Sequence, residues 1–298
     1  MHVEYLKYFH DVASTGSISK VANDIHISQP ALSQQIQKLE ETLGYRLLNR
    51  SNKGVVMTEA GRIVEKHCRT LIKAYDNMLE DLAEINHSNN TVRIDSSPTV
   101  ATYALPCTIY SIKEKYPEYK VSLSTNLSND VMQSVLNDVC DFGFIHGKPD
   151  NSELQAFRVG VDRLAVVAPY DAKINEEAKL QELQRYELIM LLDKFEVARD
   201  IRSLLQQAGY NLADFNVILN LDSVESIKST VIKGFGISVL PYVSIKKELY
   251  NKQLKEVRIP GLDMGYEIYL IYKQSREMRR CVKNCISYYK NIGEESFC

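Results

Sequence analysis

Residues 19–41 read SKVANDIHISQPALSQQIQKLEE, and how this stretch folds decides how the rest of the chain is organised. Ser17 or Ser19 can cap a helix in which Val21, Ala22 and Ile25 face inward, and His26-Ile27 makes a turn. Ser28 is a second N-cap, and Pro30 suits the first helical turn, where a missing N–H costs nothing. The helix it opens runs to about Leu43 and stops at Gly44. Leu32, Ile36, Leu39 and Leu43 form its buried stripe. The opposite face presents Gln29, Ser33, Gln34 and Gln37. Ala22 is small enough to let two helices cross steeply, and such a pair is a way of laying its second helix into the DNA major groove. Glutamine can hold adenine by two hydrogen bonds, and serine can reach a base edge or a phosphate. A polar face by itself is only a solvated surface. The small residue at the crossing and the glutamines on the N-terminal half favour DNA.

Before this pair, residues 3–15 (VEYLKYFHDVAST) place Leu6, Phe9, Val12 and Ala13 at helical spacing, with Gly16 as the stop. On the other side, Leu47-Leu48 and Val55-Val56-Met57 predict two short strands around the turn Asn52-Lys53-Gly54. A hairpin after a helix-turn-helix is a wing, and Arg50 and Lys53 at its tip can reach the DNA backbone or the adjacent minor groove. Charge qualifies this picture. Residues 1–60 carry six Lys/Arg and six Asp/Glu, so the basic excess common in DNA-binding domains is missing. Arg46, Arg50 and Lys53 nevertheless cluster with no acid between them, which is enough for phosphate contacts.

Thr58 then caps a long helix, with Glu59 favourable to its dipole. Val64, Cys68, Leu71, Tyr75, Met78, Leu82 and Ile85 recur in an unbroken heptad seam, the pattern that pairs one chain with another. The competing possibility is a helix packed on its own domain. At about 1.5 Å per residue the helix would span roughly 42 Å. The polar run 86–90 marks a domain boundary.

By this point ISQPALSQQIQKLEETLGYRLLNR, followed by MTEAG, resembles the hallmark stretch of LysR-type transcriptional regulators nearly position for position. Leu48-Asn49 depart from it, standing where the family usually has a phenylalanine and an acid. The resemblance implies a winged helix-turn-helix domain over 1–58, with Ser28, Gln29, Pro30, Ser33, Gln34, Gln37, Arg50 and Lys53 on DNA. It further implies a linker helix and hinge over 59–90 and an effector-binding domain over 91–298. Its partners would be double-stranded DNA carrying an interrupted palindrome, a second copy of the chain in a homodimer or homotetramer, and RNA polymerase.

The C-terminal part fits. Strand-like runs at 91–95, 119–125, 141–145, 163–168, 187–192, 216–221, 236–240 and 266–272 alternate with helical patterns at 99–115, 129–138, 196–208, 223–233 and 276–291. Such alternation predicts an α/β fold with mostly parallel strands. The resemblance implies two Rossmann-like lobes, as in a periplasmic binding protein: lobe I from 91–161 and 267–298, lobe II from 162–266. The crossings are expected near Gly160-Val161-Asp162 and Gly261–Gly265.

Ligands of open α/β sheets bind beyond the carboxyl ends of strands. Ser96, Ser97 and Thr99, then Ser128, then Ser223 beside Asp222, stand at such places, although each also serves as an ordinary cap. His146 follows a strand and can face the cleft as a donor. Arg158, Arg163 and Arg199 are candidate counter-ions. SPTVATYALP and FGFIHG are also similar to the branch of the family that controls sulfur assimilation. The implied effector is small, anionic or amino-acid-related.

Other classes find little support. The sequence contains no phosphate loop, nucleophile elbow, zinc-protease motif or dinucleotide fingerprint, so neither catalytic residues nor a cofactor are expected. The six cysteines form no C-x-x-C, and none lies between Cys140 and Cys281, which speaks against metal or redox chemistry. Cys281 and Cys285 are expected as buried small side chains. No apolar run approaches the roughly 18 residues of a membrane helix, and the charged first residues do not make a signal peptide. Membrane contact is therefore not expected, and a cytoplasmic location is.

Overall fold

A computed structural model describes residues 2–51, 54–83, 90–262, 264–274 and 278–292. Lys53 and Ile85 lie outside these residues, as do most of the expected polar linker and the start of the last expected helix. The chain forms two compact units that divide at residues 89 and 90.

The first unit comprises α1 (Val3–Thr15), α2 (Ile18–Asp24), α3 (Gln29–Leu43), the hairpin β1 (Leu48–Ser51) and β2 (Gly54–Met57), and α4 (Glu59–Ala83). Ser17 accepts from Lys20 N and Ser28 from Ala31 N, so both expected caps are made. Between the helices His26 takes φ 58, a left-handed conformation that histidine adopts more readily than most residues. Leu6, Phe9, Val12, Val21, Ala22, Leu32, Ile36, Leu39 and Leu47 close one core. Glu40 is more than a surface acid, because its Oε1 accepts from Leu47 N at 2.7 Å and Leu48 N at 3.1 Å. Thr58 N donates to Leu47 O at 2.9 Å, and Thr58 Oγ1 accepts from Gly61 N at 3.0 Å. Gly61 lets α4 lie against the backbone that leads into β1: a Cβ there would stand 2.1 Å from Leu47 O.

The second unit is built around one continuous mixed sheet. Its first lobe holds β3 (Thr91–Ser96), α5 (Pro98–Tyr103), α6 (Leu105–Lys115), β4 (Lys120–Thr125), α7 (Ser128–Leu136) and β5 (Phe142–His146). The long β6 (Leu154–Pro169) then carries the chain into the second lobe. That lobe contains α8 (Leu180–Leu183), β7 (Glu187–Leu191), α9 (Glu196–Gln207), β8 (Asn216–Leu221), α10 (Val224–Ile232), β9 (Ile237–Pro241), α11 (Lys246–Tyr250) and β10 (Leu254–Val257). β11 (Gly265–Lys273) returns, and α12 (Arg280–Ile292) packs on the first lobe. The strand order is β4-β3-β5-β11-β6-β9-β7-β8, with β10 beside β6.

Three details depart from the sequence expectation. The helix expected over 99–115 breaks at Ala104 into α5 and α6, because Pro106 has no N–H to continue the ladder. The strand expected over 163–168 is the far half of β6. Its residues Leu154–Arg163 pair with β11, and its residues from Leu164 onward pair with β9 and β10, so pairing changes partner without a break. Finally, among the strands of the described residues, β3 pairs in parallel with β4 and β5, and β7 with β8 and β9, while the crossing strands run antiparallel. Each lobe has its own apolar core, around Phe142, Phe144 and Tyr289 in the first and Ile189, Val167 and Leu240 in the second. Cys281 and Cys285 are buried in the first lobe, as expected. No helix among the described residues is long and apolar enough to cross a membrane.

Candidate DNA-reading face and effector cleft

In the first unit the buried stripe of α3 turns its opposite face outward. Ser28, Gln29, Pro30, Gln34 and Gln37 are exposed, and Ser33 is half-buried. Several of these side chains already have partners. Ser19 Oγ donates to Gln29 Oε1 at 3.0 Å, Gln37 Nε2 to Glu41 Oε1 at 2.9 Å, and Arg50 Nη1 to Ser33 Oγ at 3.1 Å. Among the described residues, Gln34 is the expected base reader left without a hydrogen bond. Arg50 comes from the wing and leans against α3, joining the two parts of the reader.

The heptad seam divides. Cys68 is fully buried under α1, and its thiol donates to Leu6 O at 3.7 Å. Val64 is half-buried against the same core. Cys68, with no exposed surface, belongs to the fold of its own unit, which corrects its assignment to a dimer contact: the first turns of α4 must cover α1. From Leu71 the seam emerges, with Leu71 49% exposed, Tyr75 36%, Met78 47% and Leu82 54%. On the side facing α1, Lys7 Nζ pairs with Asp76 at 2.8 Å.

In the second unit a cavity of about 170 Å³ opens between the lobes. Ser97, Thr99, Tyr103, His146 and Tyr266 line it from the first lobe and the crossing strand, and Glu196, Asp222, Ser223 and Glu225 from the second. Four of the six expected effector residues, Ser97, Thr99, His146 and Ser223, are thus brought together from positions up to 126 residues apart in sequence. Ser96 and Ser128 are not among them. Ser96 is buried and its hydroxyl donates to Ser97 O at 3.2 Å. Ser128 is also buried, its hydroxyl accepting from His146 N at 3.2 Å, so it holds the backbone of a lining residue instead of facing the cavity. The three arginines do not line the cavity: Arg158 pairs with Glu267 at 3.0 Å, Arg163 with Glu256, and Arg199 with Glu196 at 3.2 Å.

Tyr103, Tyr266, Glu196 and Glu225 carry no sequence signal of their own, because aromatic and acidic residues open helices and strands everywhere. The hinge end of the cavity is a chain of contacts. Tyr266 Oη donates to Asp162 Oδ2 at 2.6 Å, its ring stacks on His146 at 3.9 Å, and His146 Nε2 lies 2.6 Å from Asp200 Oδ2. Burial raises the Asp162 carboxyl above its usual range, only partly offset by the Tyr266 hydrogen bond. Burial, with the Asp162 carboxylate beside it, pushes the Tyr266 hydroxyl well up. At the other end, Tyr103 Oη donates to Glu225 Oε1 at 2.5 Å. Burial would raise the Glu225 carboxyl, but hydrogen bonds from Lys228 and Tyr103 together outweigh it and hold the group below its usual value. Among the described residues no group of His, Cys, Asp and Glu is placed to hold a metal ion.

Two family models match the chain. Residues 3–62 match the family model described as bacterial regulatory helix-turn-helix protein, lysR family, and residues 86–292 match the LysR substrate binding domain. A protein of Guillardia theta described as a probable RuBisCO transcriptional regulator is 32% identical over 285 residues, covering 92% of this chain and 90% of that protein. Among solved structures, CbnR, a LysR family transcriptional regulator, superposes with a TM-score of 0.74 at 18% identity, covering 99% of this chain and 100% of that one. Full-length CbnR complexed with its target DNA gives 0.70 at 19%, covering 98% and 99%. The regulatory domain of Synechocystis PCC6803 CcmR, in complex with 2-PG, gives 0.62 at 19%, covering 68% of this chain and 97% of that domain.

Proposed function

Since the chain belongs to the LysR family of DNA-binding transcriptional regulators and is not an enzyme, we propose that it reads an interrupted palindrome as a dimer whose action is set by a small effector in the inter-lobe cleft. The base reader is Gln34, supported by Ser28, Gln29, Pro30, Ser33 and Gln37 on α3, with Arg50 of the wing on the phosphate backbone. The dimer seam is the exposed run Leu71, Tyr75, Met78 and Leu82. Two such dimers make the family's tetramer. That CbnR was solved with its target DNA and the CcmR domain with 2-PG supports both kinds of partner.

The observation that carries the effector reading is the cavity itself, where Ser97, Thr99, His146 and Ser223 converge from two lobes. About 170 Å³ is close to the ~150 Å³ cavity that takes a molecule the size of benzene, so the effector is small. Among the described residues the lining adds Glu196, Asp222 and Glu225 and no lysine or arginine. An amino-acid-related molecule, whose ammonium can face the carboxylates while its anionic end meets hydroxyls and His146, suits this lining better than a bare multivalent anion.

A thermal-shift screen of the purified full chain against amino acids and small carboxylate, phosphate and sulfate anions tests the reading. The expected hit raises the melting temperature and alters the footprint on DNA upstream of the regulated gene. A hit that leaves the footprint unchanged overturns effector gating through this cleft.

A further inference from the structure

Two hydrogen bonds tie the lobes together around the cavity, each from a donor of the first lobe to a carboxylate of the second, and one further polar pair lies close across the same gap. Tyr103 Oη meets Glu225 Oε1 at 2.5 Å, Ser128 N meets Glu196 Oε1 at 3.1 Å, and His146 Nε2 meets Asp200 Oδ2 at 2.6 Å. Two of these carboxylates are held in place by cations of their own lobe. Arg199 Nη2 reaches Glu196 at 3.2 Å. Lys228, itself buried, reaches Glu225 at 2.8 Å while anchored to Glu248 at 2.9 Å and to Ser244 O at 3.0 Å. The Lys228 ammonium also lies 5.1 Å from the centre of the Tyr103 ring, within cation–π range. Tyr103 is therefore gripped twice, through its hydroxyl by Glu225 and through its face by Lys228.

We infer that Tyr103, Glu225 and Lys228 form a clasp that keeps the cleft closed before any effector arrives. The second lobe brings a fixed carboxylate to the donor that the first lobe presents, so closure needs no ligand to bridge the gap. An effector then acts on a population already largely closed, and it must fit between or displace the clasping groups. This differs from a cleft that stands open until a ligand pulls its walls together.

The contact Ser128 N–H to Glu196 offers a reporter, because this amide is buried and its acceptor lies across the cleft. Hydrogen exchange of the full chain without effector, read on the peptide spanning Leu127 to Asn129, measures lobe opening there. Tyr103→Phe keeps the ring and removes the hydroxyl. The Glu225 side chain is 61% exposed, so solvent screens the contact, and the expected acceleration is roughly three- to tenfold. Glu225→Ala should act alike, and the double variant should add little beyond either single one, as coupled partners do. Tyr110→Phe, an exposed tyrosine on α6, should change nothing. Unchanged exchange in both single variants overturns the clasp, and so do effects that simply add. No effector enters the measurement, so its failure leaves the effector reading standing.

Discussion

Gly61→Ala sets two effects of opposite sign against each other. Replacing glycine by alanine inside a helix ordinarily stabilises it, by up to about 1 kcal/mol. Here the new methyl group would lie 2.1 Å from the Leu47 carbonyl oxygen, and ordinary contact begins near 3.4 Å. The neighbour is backbone, and it has nowhere to go. Leu47 N is held by Glu40, its oxygen accepts from Thr58 N, and its side chain is fully buried. Forcing extra volume into packed surroundings costs about 1–3 kcal/mol, and loosening the Thr58–Leu47 hydrogen bond adds about 1 kcal/mol. The steric cost wins, and a net loss of about 1–3 kcal/mol is expected. Urea unfolding of the full chain, with hydrogen exchange of α1 to α3 assigning the transition to the first unit, measures it. Gly44→Ala is a useful comparison, since nothing lies within 4 Å of a Cβ there and only the left-handed φ of 75 is strained, costing about 1–2 kcal/mol. A Gly61→Ala protein as stable as the parent, or more so, would refute the close approach of α4 to the wing.

Gln34→Ala should cost roughly 1–3 kcal/mol on the cognate operator and little on random DNA. Arg50→Ala should weaken both and reduce the salt slope by about 1; titrations of both DNAs at several salt concentrations separate the two, and equal losses for Gln34→Ala would remove it from base reading. Leu71→Asp with Leu82→Asp places charge on the exposed seam and should convert dimer to monomer in sedimentation runs. Cys68→Ser, buried under α1, should instead lower the melting temperature and leave the dimer intact. Burial pushes the Cys68 thiol up to about 11 and the Cys285 thiol up to about 12. Both should resist alkylation at pH 8 until the chain unfolds. The folded state keeps these protons longer, so stability is full below the ordinary thiol value of 9.0 and falls as pH rises from there through 11 and 12. The decline is at most about 1.4 kcal/mol per pH unit for each thiol. Denaturation midpoints flat between pH 8 and 11 would contradict that burial.

Ser28, Pro30 and the stripe Leu32–Ile36–Leu39 made α3 legible, because caps and helical periodicity are local and repeat within a few residues. The wing and the long helix followed from the same kind of signal. Periodicity was less informative at Cys68. A heptad seam and a core stripe share the same spacing, and the arrival of α1 over the first turns of α4 decided which one Cys68 serves. The continuous β6 was equally hidden, since no local feature marks where a strand changes partner.

Local sequence patterns were enough for a helix-turn-helix, a wing, a long helix and an alternating α/β half, together with hydroxyl-bearing caps at the strand ends where ligands gather. Which caps face the cavity emerged from the packing of the two lobes. Ser97, Thr99 and Ser223 do, whereas Ser96 and Ser128 turn inward to satisfy backbone groups. It also brought Tyr103 against Glu225 across 122 positions of chain. The reason is physical: a cap or a stripe is set by neighbours three or four residues away, but the partner of a side chain across a cleft is set by how two lobes close.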